Sequence, residues 1–411
     1  MNIWNKIKLH IRELFLVYCR EFKLSIHDGG IMLFFIFIPF LYPVIYSLIY
    51  NPELVRDVRL VVVDHDRTSE SRSLVRELDA CQEARVIGYA ADLDEGRRAM
   101  DEHECYGILE IPEGFARKIG RGETAEAVMY CEMSLLLRYR GLLVAATNVT
   151  QGMGAELQQR KIDEIAPLAS TVMEGDLLPI HNISMGNITG GFDSFILPAV
   201  IVLILHQCLI LVSGMAGGAK VENRHLIGYD SFNSAPSVAM TMLGQTLCFM
   251  TMILLPMIFL IHYVPLIFRF PMESDIFHEF VFLTPMVIAC LGLGFVVQGF
   301  VWERESIFVL WVVTSVVFLF LSGITWPRYA MAWPWNWLSD IIPATWGVEG
   351  FVRMNTNGAS LSQVRQPYIN LWILAGAYML VGFFVQKYIV RPRIMASRHG
   401  VDLARVAESG E

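Results

Sequence analysis

Two short strings in the 411-residue sequence carry side chains able to bind a metal or move a proton, Asp64-His65-Asp66 and Asp101-Glu102-His103-Glu104. Three consecutive positions at the end of a strand point to alternate faces, so a turn followed by a helix N-cap suits the first string better than a metal site. The second falls where a helix should end, and a solvated acidic helix end is the expectation there. We therefore predict no metal site. The seven cysteines include no Cys-x-x-Cys pair, which removes zinc-ribbon and thioredoxin chemistry. Small buried apolar side chains are the expected role, with one disulfide among Cys81, Cys105 and Cys131 left open. The sequence holds no Gly-x-x-x-x-Gly-Lys-Ser/Thr, Gly-x-Gly-x-x-Gly, Gly-x-Ser-x-Gly or His-Glu-x-x-His string, so the chain cannot by itself cradle nucleotide phosphates in a P-loop. His206, Gln207, Gln245, His262 and Gln298 stand inside long apolar runs. At membrane depth such groups are candidates for lining a path across the bilayer, or for hydrogen bonds between helices worth about 1 kcal/mol.

The elements that must hold these residues follow from composition. With 54% hydrophobic types, 18% charged residues and a mean hydropathy of +0.46, the chain is too apolar for a soluble enzyme of its length. Six runs are long enough to cross a bilayer, which takes about 20 apolar residues: Ile31 to Tyr50, Ser194 to Met215, Val238 to Val264, Phe280 to Phe300, Ser306 to Thr325 and Asn370 to Val390. Only the last contains a charge, Lys387, and no acidic residue lies in any of them. That denies a proton-coupled carrier its usual relay and points to energy supplied from outside the chain.

The first two runs are separated by residues 51–193, which contain 25 acidic and 15 basic residues, so the insert holds all of the chain's net negative charge. Nucleic acid is excluded as its partner on that balance. Lys6, Lys8, Arg12, Arg20 and Lys23 precede the first run, and Lys387, Arg391, Arg393, Arg398 and Arg405 cluster at the other end. The positive-inside rule then puts both termini in the cytoplasm and the insert outside.

Residues 1–30 repeat apolar side chains every three or four positions, from Ile3 and Trp4 through Ile7, Ile11, Leu14, Phe15 and Tyr18. This predicts an amphipathic interfacial helix ahead of a first span at 31–50. Within 51–193 the pattern predicts a small α/β domain: strands at Val58 to Val63, Arg85 to Tyr89, Cys105 to Ile111 and Ala125 to Cys131, and helices from Ser69, Asp92 and Pro112. A long helix follows from Ser134 to Ile165. Residues 194–390 form a five-helix transmembrane domain, with a cytoplasmic loop at 216–237 and an aromatic stretch at 326–345, before a tail at 391–411. That stretch carries Trp326, Pro327 and Met331 among four Trp, suited to a re-entrant or interfacial element at the outer leaflet.

The order of these parts and four local strings resemble the permease subunits of bacterial type-2 ATP-binding-cassette (ABC) exporters, in the branch with a large extracytoplasmic domain between the first two spans. The strings are VVVDHDRTSESRSLVRELD (61–79), YGILEIPEGFARKIGRGETAEAVMY (106–130), SFILPAVIVLILHQ with AKVENRHLIG (194–207 and 219–228), and LSGITWPRYAMAWPWNWLSDIIPATWGVEGFVR (321–353). One departure is Tyr229, where the family loop usually has Thr after Gly228. The resemblance implies an α-helical polytopic fold of six transmembrane helices in a bacterial inner membrane. It further implies no enzyme activity, no cofactor bound by this chain, and ATP and Mg on a separate ATPase subunit. A second permease copy is implied, and a periplasmic adaptor is an open partner. The site residues implied are Glu222, with Arg224, His225, Glu303 and Arg304 beside it, for coupling to the ATPase, and Trp326, Pro327, Met331, Pro343 and Arg353 for an outer gate. The cargo expected is lipophilic or amphiphilic. A membrane-anchored sensor or receptor is the alternative, which explains the insert but not six spans with an inner loop.

Overall fold

The computed structural model describes residues 3–50, 55–165, 186–187, 191–222 and 237–394. Arg224, His225, Arg398 and Arg405 lie outside the described residues. The chain divides into two compact units, one of Pro52–Ile183 and one that joins Met1–Asn51 to Ser184–Glu411.

Helix α1, Ile3–His27, forms as its spacing predicts. The face it presents to the protein is not the apolar one. Glu13, Val17, Glu21 and Ser25, each four residues from the next, are buried, while Trp4 (74% exposed), Ile11 and Phe15 stay open. Gly244 of a later helix permits the close approach, since a Cβ there would stand 2.7 Å from the Val17 side chain. The apolar face is thus left exposed. Asp28 then caps helix α2, Gly29–Tyr50, by accepting from the Gly30 and Ile31 N–H groups at 3.0 Å each.

In the inserted unit, strand β1 (Val58–Asp64) leads to helix α3 (Ser69–Asp79), β2 (Ala84–Tyr89), α4 (Leu93–Asp101), β3 (Gly107–Ile111), α5 (Phe115–Arg121), β4 (Val128–Cys131) and the long α6 (Leu136–Ile165). The sheet order is β2-β1-β3-β4, with β1 parallel to both neighbours and β4 antiparallel to β3. Alternation splits the core in two. Val58, Leu60 and Val62 pack with Leu74 and Leu78 of α3 and Leu142 and Val149 of α6, while Val61, Val63 and Ile108 pack with α4 on the other face. Asp92 caps α4 by accepting from the Glu95 N–H at 2.8 Å, and the Glu95 carboxylate accepts from the N–H of Ala91, one residue before the cap. Pro112 is a correction. The helix expected to start there begins at Phe115, because Gly114 at φ +85° turns the chain first.

The second unit resumes with α7 (Phe192–Glu222), α8 (Val238–Phe268), α9 (Ile276–Val297), α10 (Ser306–Leu321), α11 (Trp333–Asp340), α12 (Pro343–Asn357) and α13 (Arg365–Ile394). Four sequence boundaries are corrected. Helix α7 continues through 216–222, so Glu222 lies in a helix rather than in a loop. The predicted span from Ser306 ends at Leu321, giving 16 residues, and five helices rather than six are long and apolar enough to cross a membrane among the described residues. Helices α7 and α9 start earlier than expected, which places Asp193 and Glu279 inside them and fully buried. The premise that helices of this kind hold no acid therefore fails. Helix α10 nonetheless traverses the unit: Ile307 at its start would meet a Cβ on Gly214, and Ser322 just past its end shares a cavity with Phe195 near the start of α7.

Each of the three π-helical turns, Leu33–Phe37, Phe259–Tyr263 and Gln386–Val390, lies just ahead of a proline, Pro39, Pro265 or Pro392. Proline clashes with the carbonyl four residues back. Those carbonyls belong to Phe35, Ile261 and Tyr388, all inside the widened turns.

Candidate functional site

At the end of the helical unit where α7 stops, small residues let a turn press onto the helix. A Cβ on Gly218 would stand 2.8 Å from the Glu303 carbonyl oxygen, so only glycine admits the 302–305 turn here. The Arg304 N–H donates to Glu222 Oε2 at 3.4 Å, and the Arg304 guanidinium pairs with Asp28, the carboxylate that caps α2. One turn back, Lys220 Nζ and Glu21 Oε1 of α1 stand 3.0 Å apart, a buried charge contact (8% and 2% exposed) without hydrogen-bond alignment. Arg393 of α13 donates to the Gly299 and Val301 carbonyls at 3.0 and 3.2 Å and lies 3.7 Å over the Trp302 ring. Predicted residues Glu222 and Arg304 are thus brought together, while the Glu303 side chain is exposed beside them. Sequence reasoning missed Glu21, Asp28 and Lys220. Their one signal was charge retained on otherwise coverable helix faces.

The five polar residues of the spans do not form one continuous chain of contacts. Gln298 donates to the Ser213 carbonyl at 2.7 Å and accepts from Gln386 Nε2 at 2.7 Å, joining α7, α9 and α13. His206 is fully buried edge-on to Phe318, with both ring nitrogens lacking a partner among the described residues. His262 packs against its neighbour Tyr263 inside a π turn, and Gln245 is buried on α8. Gln207 lies beside His206, its Nε2 buried without a partner among the described residues. Glu279, which the sequence reading did not flag, accepts from Ser274 Oγ and from Asn355 Nδ2, the latter at 3.0 Å.

The opposite end is organised by Arg328. Pro327 is extended ahead of a short 3₁₀ turn at Arg328–Ala330. The Arg328 guanidinium pairs with Asp340 and with Glu349 Oε2 at 2.9 Å and lies 4.3 Å over the Trp346 ring. Glu349 Oε1 takes Arg353 at 2.9 Å, so one carboxylate holds two arginines. Pro343 opens α12 at its first turn. Gly347 of α12 faces Val202 and Met286, whereas Asn355 meets Glu279. At about 1.5 Å per residue, Gly347 lies about 15 Å inside the starts of α7 and α9, and α12 runs outward from there to end near their surface. Trp326 and Met331 line an apolar hollow of about 400 Å³ with Val317, Phe320 and Trp335. Of this group the sequence reading named five residues and missed Arg328, Asp340 and Glu349, whose pairing across 21 positions no local pattern announces.

Long apolar helices with charge clusters confined to their two ends define a multi-pass helical membrane protein. Residues 30–384 match the family described as ABC-2 family transporter protein, and the chain belongs to that family. It is accordingly a transmembrane subunit of an ABC transporter, not the ATPase, and an ATPase partner goes with it. No curated protein matches the chain.

Proposed function

We propose that the chain is the permease half of an exporter in a bacterial inner membrane, moving a lipophilic or amphiphilic compound outward with ATP and Mg bound on a separate subunit. In this reading the polypeptide crosses six times, α10 making the short fifth crossing, with both termini and the Glu222 end in the cytoplasm. The inserted α/β unit then lies outside, and a second permease copy completes the pathway. The observation that carries the coupling assignment is the junction of Glu222, Arg304 and Asp28. A partner pressing on residues 216–237 would move α7, the 302–305 turn and the start of α2 together. Helix α12 and the Trp326 stretch, entering the unit and returning on one side, support an outer gate.

The test is purification of the tagged full chain from its native membrane. An ATPase subunit should come with it, the complex should hydrolyse ATP, and the chain alone should not. Glu222→Ala should lower efflux several-fold at equal membrane abundance, while Glu113→Ala, an exposed acid of the inserted unit, should leave it unchanged. Efflux at the wild-type rate from the Glu222 variant would remove the coupling assignment.

A further inference from the structure

A cavity of about 470 Å³ opens at the Arg328 end of the helical unit, and neither the family nor the sequence reading assigns it a ligand. Its floor is apolar: Phe195, Ala199, Ile324, Val348 and Val352. Its polar wall is Arg328, Glu349 and Arg353, with Tyr329 fully exposed at the rim.

The hydrogen-bond inventory of that wall is one-sided. Both Glu349 oxygens are already engaged, Oε2 by Arg328 and Oε1 by Arg353. Asp340, which does not line the cavity, is turned to Arg328. Donors remain: Arg328 Nε is buried with no partner among the described residues. Arg353 spends one nitrogen on Glu349 and is 52% exposed, with four further N–H groups in its fork. A cation entering here would find the only lining carboxylate among the described residues taken and two guanidinium groups beside it. An anion would find a two-toothed arginine donor above an apolar floor, the arrangement that favours carboxylate and phosphate.

We propose that this cavity binds an anionic amphiphile, its carboxylate or phosphate head on Arg353 and Arg328 and its apolar body on Phe195, Ile324 and Val352. The proposal deepens the export reading by naming the charge class of the cargo, and it rests on that reading for the word cargo alone. Binding itself needs neither the ATPase nor a second chain type.

The experiment uses the full chain in phosphatidylcholine nanodiscs and three fluorescent probes, a dansyl-labelled undecanoate, its methyl ester and the matching dansyl-labelled undecylamine. The undecanoate should bind at least about tenfold tighter than the ester or the amine. Arg353→Gln should remove that preference, Arg353→Lys should retain part of it, and Arg365→Gln, an exposed arginine at the start of α13, should change nothing. Wild-type elution on size exclusion shows that each variant is folded. Equal binding of all three probes, preference for the amine, or an undiminished preference in a folded Arg353→Gln chain would overturn the proposal. Discs containing phosphatidylglycerol separate the two sources of the ligand. Loss of undecanoate binding there assigns the cavity to an anionic bilayer lipid, and unchanged binding assigns it to a soluble amphiphile, the anionic class standing in both cases. Charge-selective binding by a chain that never captures an ATPase would leave the site in place and sink the export reading.

Discussion

Asp66 receives hydrogen bonds from Thr68 Oγ1 at 2.7 Å and from the Gly114 and Ala116 N–H groups at 2.8 and 3.0 Å. It ties the β1–α3 turn to the N-terminus of α5. Desolvation raises its carboxyl pKa, but the donors from Thr68, Ala116, Gly114 and Phe115 outweigh that and hold it below the usual carboxylate range. A depressed folded-state pKa contributes stability that is present above the unfolded value of about 3.9 and is lost as pH falls through the folded value. Asp66→Asn should therefore speed amide exchange across α5 roughly tenfold near neutral pH. The difference from wild type should shrink below about pH 4, measured by hydrogen-exchange mass spectrometry on the intact chain. The Asp64-His65-Asp66 string thus announced a turn legibly, since Asp64 caps locally onto the Asp66 and Arg67 N–H groups. Its reach to α5, some 50 residues away, was hidden, because long-range donors leave no spacing in the string. Lys220 and Glu21 give a second test. Removing one partner of a buried pair costs about 3–5 kcal/mol, while replacing both by apolar groups is near neutral. Lys220→Met should lower the thermal midpoint in detergent sharply, and adding Glu21→Leu should restore most of it.

Helix α1 shows how periodicity can be right about an element and silent about its neighbours. The three-to-four spacing of Trp4, Ile11 and Phe15 gave the helix and its exposed apolar stripe. The face that meets α8 carries Glu13 and Glu21, which any hydrophobicity argument assigns to solvent. Helix ends were the weakest part of the reading for a related reason. A run of uncharged residues marks where lipid contact stops, whereas α7 and α9 go on wherever protein covers them, through Lys220 at one end and back to Glu279 at the other. The π turns were not legible from proline alone, since Pro43, Pro198, Pro256 and Pro285 lie inside helices without one. The inserted unit has its own two-sided core, made among the described residues of side chains between Val58 and Met153. Residues 53–190 expressed alone should accordingly be a soluble, cooperatively unfolding protein. Aggregation of that fragment, or a non-cooperative urea transition, would show that the core is insufficient.

For the molecule as a whole, the long apolar helices were readable because a bilayer imposes length and charge rules on any chain that crosses it, although one of the six runs gave a helix of only 16 residues. The Arg328 cluster was not readable, since Arg328, Asp340 and Glu349 sit in three separate elements. The same rules give α10 a consequence of another kind. Sixteen residues rise about 24 Å, against a hydrocarbon thickness of about 30 Å, and Val309, Val312, Val313, Val316 and Phe320 on this helix are exposed. In the six-crossing reading proposed above, lipid touching that stripe would be compressed, with an elastic penalty of fractions of a kcal/mol per ångström of mismatch. On that reading the transporter would carry, in effect, a dent in its surrounding annulus. Such a dent draws short-chain lipids and lowers the distance an amphiphile's head must travel through oil at that spot. Reconstituted transport should run several-fold faster in short-chain than in long-chain phosphatidylcholine, and lengthening α10 by one apolar turn should shift the optimum toward thicker bilayers.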